Sequence, residues 1–167
     1  MIARAAVLAF LALPLIGCSE PTAPEPAALL GRWLDGPHPS HHSRGTQVFE
    51  YGHYEFGLEF LEGGSFVFEA RSFGGTPERG TPEDELTSWS RISGTFVVTD
   101  DRIRFEPDSL VTWDSFYDPP LTTVESPYGG TIYDETTWTV IGDVLVLHYL
   151  TYPADAPVET TAFFRRR

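Results

Sequence analysis

The side chains best placed to do chemistry in this sequence are five histidines and a large excess of carboxylates, and their spacing limits what they can do. His38, His41 and His42 crowd into GPHPSHHSRG, residues 36–45. Three imidazoles could ligate zinc or copper. No carboxylate sits beside them in that stretch, and Pro37 and Pro39 rule out a helical spacing that would aim them together, so a solvated histidine loop is expected. Glu55 and Glu59 could be paired catalytic carboxylates. They lie in YEFGLEF, where Tyr54, Phe56, Leu58 and Phe60 alternate with Glu55, Gly57 and Glu59. Period two places both glutamates opposite the aromatics, on the solvent face, so a charged outer wall is expected. The acidic end of GGTPERGTPEDE, residues 74–85, lacks the ligand order of an EF-hand. His148 stands in a β-rich run and reads as a hydrogen-bonded core or wall residue rather than a ligand. No Gly-x-Ser-x-Gly, His-Glu-x-x-His or phosphate loop is present. No catalytic residue, resident metal or cofactor is expected.

The chain has one cysteine and neither lysine nor asparagine. A lone Cys18 leaves no disulfide or thiolate metal site within a domain. The missing lysine removes Schiff-base chemistry and a P-loop ATPase. The missing asparagine removes N-glycosylation and places tight turns on Gly and Asp. The formal net charge of -13 repels phosphate backbones, which argues against nucleic acid as a partner and against adhesion to anionic lipid through the protein surface.

Cys18 closes a segment built for export. Arg4 supplies a positive charge, and residues 5–15 form an almost unbroken apolar run too short to span a bilayer. Leu15-Ile16-Gly17-Cys18 resembles the lipobox of bacterial lipoproteins. The resemblance implies a signal peptide over residues 1–17, cleavage before Cys18, and acylation of its thiol and new amino terminus by chains such as palmitate. The membrane partner is then reached through acylated Cys18. Ser19 stands where an aspartate is associated with inner-membrane retention, so the resemblance implies an outer-membrane place in the cell envelope. Residues 18–28 hold SEPTAPEPAA after the cysteine, a semi-extended proline-rich tether.

Residues 29–167 suffice for one domain with a core. Frequent Gly, Pro and aromatics suit many short strands. Three hairpins are legible: residues 54–73 around Glu62-Gly63-Gly64, residues 86–106 around Asp100-Asp101, and residues 136–152 around Gly142-Asp143. Arg102 and Arg104 share a polar face and are expected to pair with acids on neighbouring strands. The 144–149 run is apolar on both faces, which suggests that something covers its outer side. Residues 110–133 are irregular, with a strand in their first half. Their aromatics could line a ligand entrance or pack as a lid, and the lid is favoured slightly. Arg165, Arg166 and Arg167 read as a solvated terminal cluster.

Local hairpins predict an all-β fold, a small up-and-down antiparallel barrel of about eight strands, with a β-sandwich as the alternative. Gly31-x-Trp33 looks like the Gly-x-Trp opening of lipocalin-like barrels, where the tryptophan lies across the barrel floor. The resemblance implies a carrier. Trp33, Phe56, Phe60, Phe66 and Phe68 are then expected to face a ligand space, with Trp113, Tyr117 and Tyr128 near its opening. A small apolar ligand ranks first, an envelope protein or glycan partner for a filled barrel second, and catalysis third. An open apolar interior favours carriage; a filled one favours interaction.

Overall fold

A computed structural model of the chain describes residues 26–44, 47–74, 85–152 and 156–167, with the backbone alone at 26, 41–44 and 47–51. Alternating apolar and polar residues become nine strands: β1 (Gly31–Arg44), β2 (Gln47–Leu61), β3 (Ser65–Phe73), β4 (Leu86–Thr99), β5 (Arg102–Asp114), β6 (Leu121–Glu125), β7 (Asp134–Ile141), β8 (Val144–Thr151) and β9 (Val158–Arg166). All pairings are antiparallel. Eight strands close in the order β1-β2-β3-β4-β5-β7-β8-β9 and back to β1, and β6 is an extra strand on β5. The expected barrel is therefore present, with one strand added. The three expected hairpins form β2–β3, β4–β5 and β7–β8. Their turns fall on Asp and Gly, as a chain without asparagine requires: Asp100 takes a φ of 54° and Gly142 one of 63°.

Three expectations need correction. Residues 36–44 are not a loop, because β1 runs on through them and pairs with β2 as far as Arg44↔Gln47. β1 meets β9 only at Trp33↔Arg166 and Leu34↔Arg165. Among the described residues that side of β1 has no strand partner beyond Leu34, so Pro37 and Pro39 cost no ladder bond there. In the 110–133 stretch the strand expected in the first half is β5, which runs to Asp114, but the middle, read as loop, holds β6. Pro26–Ala28, at the end of the stretch expected to be a semi-extended tether, form a short 3₁₀ turn that leads into the fully buried Leu29.

Closure rests on two short ladders. One is β1·β9; the other is β5·β7, at Arg102↔Thr137 and Ile103↔Thr136. Both lie near the end that holds the 3₁₀ turn, the three hairpin turns and the last residues of β9. We call this end the floor and the other the mouth. Towards the mouth the wall divides into a β1–β6 sheet and a β7–β9 sheet.

Candidate functional site

The floor is built from Trp33. Its indole is fully buried, its Nε1–H donates to the Leu29 carbonyl at 2.7 Å, and the Arg166 guanidinium lies 4.4 Å from its ring centroid. Arg166 also donates from Nη2 to the Ala28 carbonyl at 2.6 Å and from Nη1 to that of Leu30 at 3.3 Å. These bonds satisfy carbonyls that the 3₁₀ turn leaves free and place a cation on an aromatic face. The expected solvated cluster is thus wrong for Arg166. Ala162, Phe164 and Arg166 share the period-two inner face of β9, a signal visible in the sequence.

Above the floor the lumen is filled. Leu58, Phe60, Phe66, Trp138, Leu145, Leu147 and Phe164 are all essentially buried. Phe60 packs on Phe96 at 4.9 Å and Phe66 on Phe105 at 5.1 Å between ring centroids. Phe60 and Phe66 face inward as expected, but as packing. An eight-stranded barrel has an interior just wide enough for side chains to fill it.

Tyr133 closes this layer. It lies in the connection from β6 to β7, yet its ring sits edge-on to Tyr149 at 4.6 Å, to Phe68 at 5.6 Å and to Phe164 at 6.2 Å. Those partners come from β8, β3 and β9, so one loop residue spans the lumen. Its backbone is left-handed, φ 49°, as is that of Glu135 at 46°. That conformation is costly for a non-glycine residue and persists where packing over-determines it. The Thr136 hydroxyl donates to the Tyr133 carbonyl and helps to hold it. Burial pushes the Tyr133 hydroxyl well above the ordinary tyrosine range, helped by Tyr149 and the Asp35 carboxylate. Tyr149 is raised by burial first and by Asp35 second.

The lining then changes character. Ala70 and Ser72 of β3, Ser88 and Ser90 of β4, and Thr112 and Asp114 of β5 continue the inner face above Phe68, Ile92 and Leu110. With Tyr117, Leu121 and Thr123 they line a cleft of about 400 Å³ at the mouth. Thr112 and Thr123 join hydroxyls across β5 and β6. On the β1–β2 side of the mouth, His38 Nε2 is 2.8 Å from Asp35 Oδ1, and its ring stacks on Tyr54 at 5.1 Å. Phe56 stacks on Phe68 at 6.0 Å beneath. The mouth therefore offers hydroxyls, an acid–imidazole pair and aromatic faces together.

Two bulges decide which residues reach it. Asp35 pairs with Phe56 and His38 with Tyr54, so β1 holds one extra residue at Gly36–Pro37. Three residues apart on a regular strand, Asp35 and His38 would face opposite ways; the bulge brings both inward. Gly36 makes the bend at φ 117°. The carboxylate missing from the histidine stretch is thus Asp35, just before it. In β5, Ser93↔Ser109 is followed by Gly94↔Pro107, so Asp108 is the extra residue. This bulge turns Trp113 to the outer face opposite Trp89, so it borders the mouth cleft from outside. A Cβ on Gly94 would collide with the Glu106 carbonyl, so the squeezed strand needs glycine there.

Of the other expected residues, Tyr117 is exposed at the mouth cleft, and Tyr128 is half-buried against the core with its N–H donating to the Asp108 carbonyl at 2.7 Å. The lid reading fits Tyr128, Ile132 and Tyr133, which all pack on the core. Glu55 and Glu59 lie on the outer wall, opposite Arg71 and Arg32 respectively. Arg104 pairs at 2.8 Å with Glu106 of its own strand rather than a neighbour's acid. His148 is an exposed wall residue bonded to the Thr161 hydroxyl at 2.8 Å. Cys18, and the side chains of His41 and His42, lie outside the described residues. Among the described residues no group of three or more His, Cys, Asp and Glu side chains converges.

A second cleft of about 400 Å³ opens through the wall where β5 and β7 part. Ile103, Phe105, Ile132, Tyr133 and Thr136 form its apolar part, and Arg102, Arg104, Asp134 and Glu135 surround it. Compared with models of known families, with curated proteins and with solved structures, the chain matches none of them.

Proposed function

We propose that this chain is a membrane-anchored, lipocalin-like lipoprotein that binds a small amphipathic molecule at the barrel mouth. The observation that supports it most is the change of lining at Tyr133: packed aromatics below, and above them a hydroxyl-lined cleft beside Asp35 and His38. The ligand's apolar part lies against Tyr54, Phe56 and Phe68. Its polar groups meet Ser72, Ser88, Ser90 and Thr112. The anchor is acylated Cys18. The first described residues, Pro26–Ala28, lie at the floor, the end opposite the mouth. Native mass spectrometry of the protein taken from its own membrane tests both parts. A co-purified small molecule that is lost from Ser90→Trp, which fills the mouth, supports the site. Retention of the same molecule by that variant rejects it. Cys18→Ala should leave the membrane fraction; unchanged partition rejects the lipid anchor.

One observation favours a protein partner as the second reading. Ile141 and Phe163, on the outer face of the β7–β9 sheet, are 66% and 59% exposed. This is the wall whose outer side the sequence suggests is covered. Phe163→Asp would abolish a partner's co-purification and leave mouth binding intact.

A further inference from the structure

The indole Nε1–H of Trp138 has no hydrogen-bond acceptor among the described residues, although the residue is only 1% exposed. Buried donors are nearly always satisfied, and a bare one is costly. Trp138 stands on the lumen face of β7, one inward position, roughly 7 Å, from Thr136. Thr136 lines the cleft that opens where β5 and β7 part. Tyr133 lines that cleft as well. Tyr133 arrives from a loop on a left-handed backbone, and its phenol lies in a slot walled by the edges and faces of Phe68, Tyr149 and Phe164. A slot of that shape suits one flat six-membered ring.

We infer that this lateral cleft is the entrance to a second binding slot, which Tyr133 fills when no ligand is present. The ligand is a single aromatic ring bearing a hydrogen-bond acceptor. Its ring replaces the Tyr133 phenol among Phe68, Tyr149 and Phe164, and its acceptor takes the Trp138 indole N–H. The displaced Tyr133 swings out through the gap in the wall and leaves its left-handed conformation. The slot shares Phe68 with the mouth site, but its test reads the Trp138 indole, so the two readings fail separately.

The test uses acetophenone and ethylbenzene, which share a ring and a two-carbon substituent but differ in the acceptor. The chain has four tryptophans, so its ¹⁵N–¹H spectrum has four indole signals, and Trp138→Phe assigns the relevant one. Acetophenone should move the Trp138 indole proton downfield, and ethylbenzene should not. Trp138→Phe should weaken acetophenone about tenfold and leave ethylbenzene unchanged, as expected for one lost hydrogen bond. Tyr133→Ala should tighten both probes. A Trp138 proton already at a hydrogen-bonded position and indifferent to acetophenone would mean that a buried water satisfies it, and would overturn the inference. Equal effects of the two probes on the wild-type spectrum would overturn it too, whether or not Tyr133→Ala folds.

Discussion

Below Tyr133, side chains from all eight barrel strands meet across the lumen; above it, β3, β4 and β5 carry hydroxyls and the walls part. The lower half is held by two short closing ladders and by the Trp33–Arg166 contact. Among the described residues the upper half has a β1 side without a strand partner and a β6 strand paired with β5 alone. A filled, closed half supplies stability, and that permits an open half whose residues are chosen for something other than packing. The difference also teaches where a ligand belongs in a barrel this narrow. Eight strands carrying large aromatics leave no room at depth, so the space moves to the mouth or requires a side chain to move.

The largest expected effect that would break this contrast is at the floor. Trp33→Ala removes a fully buried indole, its hydrogen bond and the surface on which Arg166 stacks, and should cost about 3–5 kcal/mol in urea unfolding. A cost under about 1 kcal/mol would mean that the floor is not closed. Next is Phe66→Trp. If the lower lumen is full, the larger ring overpacks it and costs about 1–3 kcal/mol; a neutral or stabilising result would reveal hidden space.

The boundary layer has a pH signature. The Tyr133 and Tyr149 hydroxyls have raised values in the folded state, from an ordinary value of 10.0. Below pH 10 both states keep these protons and the stability is fully present. As pH rises past 10 the unfolded chain releases them first, so stability falls until the folded values are passed. With no lysine in the chain, little else but tyrosine titrates there. Urea midpoints between pH 8 and 11 should therefore decline, and Tyr133→Phe should flatten the decline. An unchanged slope in that variant would place Tyr133 in water. The smallest effect is at the mouth, where Ser90→Ala should change stability by less than about 0.5 kcal/mol while weakening ligand binding. A large destabilisation there would make the upper half part of the core.

The hairpins were legible because Phe56 to Phe60, Phe66 to Ala70 and Trp138 to Val140 alternate cleanly with polar residues, and alternation survives any tertiary context. What stayed hidden follows from features that break alternation. One extra residue at Gly36 turns His38 inward beside Asp35, and one at Asp108 turns Trp113 outward. Period two cannot report a parity change whose cause is a backbone bulge. The prolines of residues 37 and 39 disguised a strand because they face a side with no ladder to break. Tyr133 was invisible for another reason: an aromatic in an irregular segment packs wherever the fold leaves a hole, and only the closed barrel defines that hole. The floor was half-legible. Gly31-x-Trp33 pointed to it, but Arg166 needed the register of β9 against β1 to be seen as its partner.

Native-state amide hydrogen exchange on the full chain tests the division most directly. The slowest amides should be those of residues 58–60, 66–68, 103, 138, 145–147 and 162–164, exchanging only through global unfolding. Amides of 70–73, 88–90, 110–114 and 121–125 should open locally and exchange at least about tenfold faster. Uniform protection along β3, β4 and β5 from floor to mouth would contradict it, because the two halves would then be one core.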